Sequence, residues 1–245
     1  MSASSRMTFY VEAVAELSIA RRSAMLDILS CHFDGITLED FHRDLFEKDL
    51  ALLLEQDGRL VGFSTMLAYS TFFDGGPLNV IYSGDTIVSP QAWGSTALPR
   101  AWVTGVRRLQ ATLPPGRCFW LLLSSGFRTY RFLSVFWREF FPTYSRPTPA
   151  EKQRLLAKLA AERFGNQFDQ EAGIVRFRHP QRLRKGLKEV PTGREGDPHT
   201  EFFLRQNPGY AEGDELVCLA EICPENLTLA GRRMMPTNEL ASHHR

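Results

Sequence analysis

The chain has 245 residues, with 29 lysines and arginines against 28 aspartates and glutamates, so its formal net charge is +1. Apolar residues make up 43% of the chain and charged residues 23%, which is typical of a globular protein and argues against disorder, collagen or a coiled coil as its main state. The balanced charge argues against the basic face that broad nucleic-acid binding needs, so we expect no nucleic-acid partner.

Membrane and signal segments are not expected either. The longest uninterrupted apolar run, Cys118 to Leu123, is far shorter than the roughly 18 residues that a membrane-spanning helix needs. No apolar signal core follows Arg6, because Glu12 and Glu16 interrupt it. The chain has four cysteines, too few for a disulfide framework at this length. These features predict a cytoplasmic protein without a membrane span.

The cysteines and histidines do not form a metal-binding pattern. Cys218 and Cys223 are five positions apart rather than the three of a zinc knuckle. The group of Cys31, His32 and His42 lacks a second pair of ligands. We therefore expect no metal site.

The first predicted elements are two helices and three strands. One helix is expected over 17–33, and a second begins at Thr37, where Asp40 three residues later completes a capping-box pattern. Strand-like runs follow, and tight-turn sequences beginning at Asp57 and Asp74 separate them; the runs cover residues 50–55, 60–73 and 78–88. Strands joined by such short turns should form an antiparallel meander.

A strand-helix-strand unit is predicted next. The apolar spacing of residues 95–112 is that of a helix, and the continuous apolar run at 117–124 indicates a strand buried on both faces. Strands joined through a helix run parallel, so 117–124 should lie parallel to the third strand of the meander. An aromatic-rich helix is expected over 127–140.

The remainder of the chain looks like an addition to this unit. A capping box at Thr148 and a stop at Gly165 bound one further helix. Short strands are expected at 174–177 and 215–222, with a long irregular connection over 180–213 between them.

The most informative stretch covers residues 86–97. A strand ends at Val88, a short loop passes through Gly94, and a helix follows. The first N–H groups of a helix have no partner within it, and the helix dipole adds positive charge at that end. Since Gly94 has no side chain, a phosphate could approach the backbone closely there. The pattern predicts an anion site.

This stretch resembles the loop of the GNAT superfamily of acyl-CoA-dependent N-acyltransferases. In that family a strand is followed by Gln or Arg, two residues, Gly, one residue, Gly or Ala, and a helix. Gln91, Gly94 and Thr96 occupy these places, although Thr96 departs from the pattern and Ala97 comes one position late. The predicted order of elements over residues 8–145 is also similar to that of the family.

The resemblance implies an α/β fold with a mixed sheet: an antiparallel meander, then a parallel β-α-β crossover, with helices on both faces. It places a GNAT-like core at 8–145 and a C-terminal extension at 146–228 that supplies the last strands. We expect residues 229–245 to form a disordered tail.

The resemblance also implies that acetyl-CoA or another acyl-CoA is the co-substrate. The loop amides would hold the pyrophosphate of coenzyme A, and these belong to Trp93, Gly94, Ser95, Thr96 and Ala97. Ile87 and Val88 would pair with the pantetheine arm through their backbone. Ser124 and Ser125, at the end of the buried strand, would bond its amides or cap the next helix.

Two residues are candidates for proton transfer. The family often activates the amine with a carboxylate on the strand before the loop, and Asp85 is the only carboxylate on the strand at 78–88. It often protonates the leaving thiolate with a tyrosine on the helix after the buried strand, where Tyr130 lies slightly before the usual place. The alternatives are a bulge beside Gly84 for Asp85 and simple packing for Tyr130.

These features together predict an N-acyltransferase, and in the first place an N-acetyltransferase, that moves an acyl group from acyl-CoA to a primary amine by direct attack. One alternative is a GNAT-like module that binds acyl-CoA or a protein without turnover. Another is transfer from an acyl carrier protein docked on the basic run at 176–188, which is otherwise a solvated face or a contact for the 3′-phosphate. The aromatic helix leaves open core packing, an acyl pocket or a homodimer contact.

Overall fold

The computed structural model describes residues 7–190 and 196–235 and contains one large mixed sheet. The strands of this sheet are β1 (Met7–Ala13), β3 (Leu50–Gln56), β4 (Arg59–Phe73), β5 (Gly76–Val88), β6 (Cys118–Ser124), β7 (Phe168–Asp169), β8 (Ile174–Val175) and β10 (Glu215–Glu221). They lie in the order β1-β3-β4-β5-β6-β10-β8-β7. Among these described strands every neighbouring pair is antiparallel except β5 and β6, which are parallel. A separate two-stranded pair joins β2 (Phe33–Asp34) to β9 (Arg182–Leu183).

Helices cover both faces of the sheet. They are α1 (Ile19–His32), α2 (Leu38–Phe46), α3 (Ala97–Gln110), α4 (Phe127–Phe136), α5 (Ala150–Phe164), α6 (Pro198–Gln206) and α7 (Leu229–Met234). Because side chains alternate along a strand, β3 sends Leu52 and Leu54 into the core under α3 and sends Leu53 into the core under α1 and α2. None of the helices in the described ranges is long and apolar enough to cross a membrane.

The sheet opens between β5 and β6. Their parallel pairing ends where Ser83 lies opposite Leu122. On the other side of β5 the register with β4 shifts, because β5 carries one additional residue in a bulge at Gly84 and Asp85. A bulge bends its strand and re-aims the side chain that it carries. Beyond Ser83 the two parallel strands therefore diverge and leave an opening in the sheet.

Gly84 lies in a tightly packed site at the bulge. A Cβ atom on Gly84 would lie 2.5 Å from Thr65 Oγ1 and 2.7 Å from Lys48 Cε. Both distances are shorter than any side chain tolerates, so Gly84 lets β4 and the Lys48 side chain approach the bulge. The bulge in turn places Asp85 beside the opening.

The predicted fold is confirmed by this topology: an antiparallel meander of β3, β4 and β5 is followed by the crossover through α3 to the parallel strand β6. The predicted start of α2 is also confirmed, because Thr37 Oγ1 accepts a hydrogen bond from the Asp40 N–H at 3.0 Å.

Four details differ from the sequence predictions. Strand β1 was not predicted, although Met7, Phe9 and Val11 alternate with more polar residues and pack on the core from this edge strand. Helix α4 ends at Phe136 rather than 140. The region expected to be irregular contains α6, which begins at an Asp197 cap followed by proline. The short helix α7 occupies part of the expected disordered tail, whose residues from 236 onward lie outside the described ranges.

Candidate active site

Two cavities meet at the opening between β5 and β6. The apolar cavity, of about 540 Å³, lies on the side of α3 and α4 and is lined by Leu98, Trp102, Trp120, Leu122, Phe132 and Phe136 among others. The second cavity, of about 480 Å³, lies on the side of α2 and α5 and is called the acidic cavity for its carboxyl groups, which belong to Asp40, Asp44, Glu47, Asp85 and Glu215. Arg43, Arg163 and Arg178 line it too, and Arg43 pairs with Asp40 and Arg163 with Glu47. Five residues line both: Phe33, Ser83, Thr86, Ser125 and Thr129. The opening thus connects an apolar site on one face of the sheet with an acidic site on the other.

The loop before α3 has the predicted strand-loop-helix form. Gly94 faces open space, since a Cβ atom there would meet nothing within 4 Å. The first turn of α3, however, offers fewer free amides than expected. The Ala97 N–H donates to Ser95 Oγ at 3.0 Å, and Pro99 has no N–H. The predicted role of the Ala97 amide therefore requires the Ser95 side chain to turn away. The Trp93 and Ser95 amides, also predicted to hold the pyrophosphate, already donate to the Pro90 and Ala92 carbonyls, at 3.3 Å and 3.0 Å.

The residues of this loop differ in their position relative to the apolar cavity. Trp93 and Ser95 line it, together with Ile87 and Val88 of the preceding strand. The other predicted members of the loop are not among its lining residues; Gln91, Gly94 and Thr96 are exposed on the loop, and Ala97 is buried.

The carbonyl of Val88, predicted to bind pantetheine, already has a partner. The indole Nε1–H of Trp93 donates to it at 2.7 Å. The guanidinium of Arg128 lies 4.1 Å above the Trp93 ring, and its Nη1 donates to the Leu187 carbonyl at 2.5 Å. Binding of pantetheine at Val88 would thus require the Trp93 ring to move.

Asp85, the predicted carboxylate of the strand before the loop, lines the acidic cavity. The pKa of Asp85 is raised to about 7, first by burial and then by the nearby Asp44 carboxylate, with Lys48 opposing both effects. Asp44 itself is paired with the buried Lys48 ammonium at 2.6 Å. Among the described residues Asp85 has no ion pair of its own, so it is able to exchange a proton near neutral pH.

Glu215 is a second carboxyl in the same cavity that sequence reasoning missed. It is the first residue of β10, and the next residue, Leu216, pairs with Ser124 at the end of β6. Burial raises the pKa of Glu215 to about 8, and the charges of Asp85 and Asp44 contribute in the same direction. The sequence predicted both strands but not their pairing, which is what brings Glu215 to the opening.

Tyr130 does not reach the site, so the predicted role of this residue as the acid has to be corrected. The side chain is fully buried and lines neither cavity. Its hydroxyl donates to the Pro142 carbonyl at 2.9 Å, and its ring packs against Phe202 and Phe203 of α6. Burial raises the pKa of Tyr130 well above its usual range. The contacts are those of a packed core residue.

The two serines at the end of β6 have different surroundings. Ser124 is fully buried, with its Oγ 3.8 Å from Cys218 Sγ. Ser125 lines both cavities. Neither caps α4, because the residue before the helix is Gly126 and no side chain bonds there. Only Ser125 is placed to contact a ligand in the opening.

The basic run at 176–188 is ion-paired in part, at Arg176 and Arg184, while Arg178, Arg182 and Lys185 are exposed. Arg176 pairs with Asp169 at 2.6 Å and with Asp214 at 3.0 Å, and Arg184 pairs with Asp34 at 3.1 Å. Lys188, at the end of the run, is among the residues that line the apolar cavity.

No metal cluster is present in the described ranges, since no three His, Cys, Asp or Glu side chains there are grouped to hold an ion. The two cavities suit an elongated, partly apolar ligand that passes through the opening, with Asp85 and Glu215 as carboxyls of raised pKa on the far side.

No family model matches the chain, and no curated protein matches it by sequence. Solved structures do resemble it. A probable N-acyltransferase of unknown function from Enterococcus faecalis is 14% identical, with 64% of this chain and 44% of that chain covered and a TM-score of 0.42. A GNAT family N-acetyltransferase from Escherichia coli in complex with CoA is 15% identical, with 56% and 71% covered and a TM-score of 0.39.

An acyl-CoA N-acyltransferase from Pseudomonas aeruginosa is also similar, at 14% identity, with 47% of this chain and 79% of that chain covered and a TM-score of 0.34. The chain matches less than half the length of the Enterococcus faecalis protein. Likenesses of this size concern the fold and carry nothing about substrate or activity.

Proposed function

We propose that this protein is an acyl-CoA-dependent N-acyltransferase whose donor and acceptor meet at the opening between β5 and β6. The observation that carries the proposal is the junction of the two cavities at Ser83 and Thr86, with Asp85 between these residues on the acidic side. A donor that enters from the apolar side and an amine that enters from the acidic side would come together there without a covalent intermediate on the protein.

The residues on the donor side suit coenzyme A. The N-terminus of α3 and the open position at Gly94 favour a pyrophosphate. The apolar cavity would take the pantetheine arm, and the hydroxyls of Ser95, Ser125 and Thr129 lie among its lining groups as partners for the amides of that arm. Since the Trp93 indole N–H donates to the Val88 carbonyl, the Trp93 ring would rotate away when pantetheine binds.

The residues on the acceptor side suit an amine. Three carboxyl groups, Asp44, Asp85 and Glu215, share the acidic cavity, and only Asp44 is neutralised by a lysine among the described residues. A free alkylamine is mostly protonated at neutral pH and must lose a proton before it attacks. Asp85, with a pKa near 7, would accept that proton.

The transfer exchanges the thioester for an amide. The lone pair of the neutral amine attacks the thioester carbonyl carbon, so that a C–N bond forms and the carbonyl π electrons move to oxygen. Collapse of this intermediate breaks the C–S bond. The nitrogen loses one proton and the coenzyme A thiolate gains one, giving an amide and free coenzyme A.

The direct test measures release of free thiol from acetyl-CoA and octanoyl-CoA with a broad panel of primary amines. We expect turnover with at least one amine, and a loss of about a hundredfold in Asp85→Asn, because general bases contribute roughly that much. Asp27→Asn, which removes an exposed carboxylate on α1, is the matched control and should keep full turnover.

A second candidate is a module that binds acyl-CoA without turnover. It is favoured by the position of Tyr130, whose hydroxyl bonds Pro142 and does not face the cavities. Tight binding of acyl-CoA with no thiol release for any amine in the panel would establish this alternative and contradict the enzyme proposal.

A further inference from the structure

The apolar cavity has an inner part that the pantetheine arm does not suit. This part lies between α3 and α4 and is bounded by the rings of Trp102, Trp120, Phe132 and Phe136 and by the side chains of Leu98 and Leu122. Pantetheine carries two amides, and an amide buried without hydrogen-bond partners loses several kcal/mol, on the order of 2–7, by general transfer data. The polar lining groups that could serve those amides belong to the loop before α3 and to the segment at 125–129.

The polar atoms of the inner part are already bonded to one another. The indole N–H groups of Trp102 and Trp120 both donate to Ser83 Oγ, at 3.3 Å and 2.9 Å. The two indole rings lie 4.6 Å apart. Both indoles are nearly buried, with 6% and 3% of their surface exposed, so the small part that borders the cavity is hydrocarbon with no free donor for a polar ligand.

Two phenylalanines complete this surface from α4. Phe132 and Phe136 pack on each other with ring centroids 4.4 Å apart, and Phe132 also meets Trp120 edge to face at 5.9 Å. Both phenylalanines are only half-buried, although they lie in a concave site beside a packed core. Accessible aromatic surface inside a cavity is what a bound apolar group would cover.

We propose that the donor is a fatty acyl-CoA, with an unbranched acyl chain several methylenes long held between α3 and α4, and not acetyl-CoA. This inference rests on the proposed function, since it assigns the acyl class to the same donor site. The chain would leave the thioester at the opening near Ser83 and run along the faces of Trp102 and Trp120. An acetyl group would leave the aromatic surface uncovered.

The test is calorimetric binding of a series of donors, namely acetyl-, butyryl-, hexanoyl-, octanoyl- and decanoyl-CoA. Burial of one methylene is worth about 0.8 kcal/mol, or about fourfold in affinity. We expect the affinity to rise by roughly that factor per methylene until the cavity is filled, and then to level off. Affinities for acetyl-CoA and octanoyl-CoA within twofold of each other would overturn the inference while leaving acyl-CoA binding intact. Failure of every donor and of free coenzyme A to bind would contradict the proposed function itself.

A pair of variants on α4 tests where the acyl chain lies. Phe136→Gln removes a ring of the cavity and adds an amide, so the ratio of octanoyl-CoA to acetyl-CoA affinity should fall about tenfold. Val135→Gln makes a similar change at the neighbouring position, which is exposed and lies outside the cavity, and should leave the ratio unchanged. Equal ratios in the two variants would overturn the placement. If Phe136→Gln does not fold, the wild-type series still decides the proposal.

Discussion

The raised pKa of Asp85 predicts how the stability of the protein depends on pH. We consider Asp85→Asn, which keeps the shape of the side chain and removes its titration. The carboxyl binds its proton more tightly in the folded state, with a pKa of about 7, than in the unfolded chain, where it is near 3.8. Its contribution to stability is therefore fully present below pH 4 and is lost as the pH rises through about 7.

The size of the effect follows from linkage. Between the two pKa values each pH unit costs about 1.4 kcal/mol of unfolding free energy for one such group. From pH 5 to pH 8 the full loss would be about 2.7 kcal/mol by that relation, because the titration is nearly complete just above pH 7. We expect about 2 kcal/mol, because the cavity admits water and Asp85 interacts with the neighbouring carboxyls. The free energy of unfolding of Asp85→Asn minus that of wild type should thus be about 2 kcal/mol larger at pH 8 than at pH 5.

The assay is urea unfolding of wild type and variant at pH 5, 6, 7 and 8. The difference between the two free energies is the relevant quantity, since all other titrating groups contribute to both proteins. Asp27→Asn on the exposed face of α1 serves as the control and should give a difference that does not change with pH. A constant difference for Asp85→Asn as well would refute the buried, proton-binding carboxyl that the proposed mechanism uses.

Three further predictions concern the site. Asp44→Asn removes the carboxylate whose charge raises the pKa of Asp85, so the rising limb of the turnover–pH profile should move to lower pH; a shift in the other direction or none would contradict their coupling. Tyr130→Phe deletes the donor to the Pro142 carbonyl and should cost about 1 kcal/mol in urea unfolding with turnover unchanged, whereas a hundredfold loss of turnover would restore it as an acid. Because Arg176 and Arg184 already have acidic partners, transfer from an acyl carrier protein and from acyl-CoA should respond equally to salt; a steep fall for the carrier donor alone would establish docking on the basic run.

The fold could be predicted largely from local signals. Tight turns at Asp57 and Asp74 separated the strands of the meander, and the continuous apolar run of β6 indicated a strand buried on both faces. The bulge that opens the sheet was visible as one interpretation of Gly84 next to Asp85, and the structure contains it. These features depend on residues close together in sequence.

The details of the site depend on contacts between distant segments, which is why the sequence could not supply them. Glu215 reaches the opening only because β10 pairs antiparallel with β6. Tyr130 is buried because α6, a helix that the sequence analysis did not predict, packs on α4. The hydrogen bond from the Trp93 indole to the Val88 carbonyl joins a side chain to a strand end, and no spacing pattern in the sequence predicts it.

The central claim is that acyl-CoA binds across the loop before α3, and the most direct measurement compares Gly94→Glu with wild type by calorimetry. A side chain at Gly94 meets no protein atom, so the variant should fold normally and place a carboxylate where the pyrophosphate would lie. The control is Gly116→Glu beyond the other end of α3, where a Cβ atom would have only an ordinary contact, at 3.8 Å from Asn79 Nδ2. The account predicts that Gly94→Glu loses at least about tenfold in affinity for acyl-CoA, or roughly 1.4 kcal/mol, while Gly116→Glu binds like wild type. Unchanged affinity in Gly94→Glu would contradict the site.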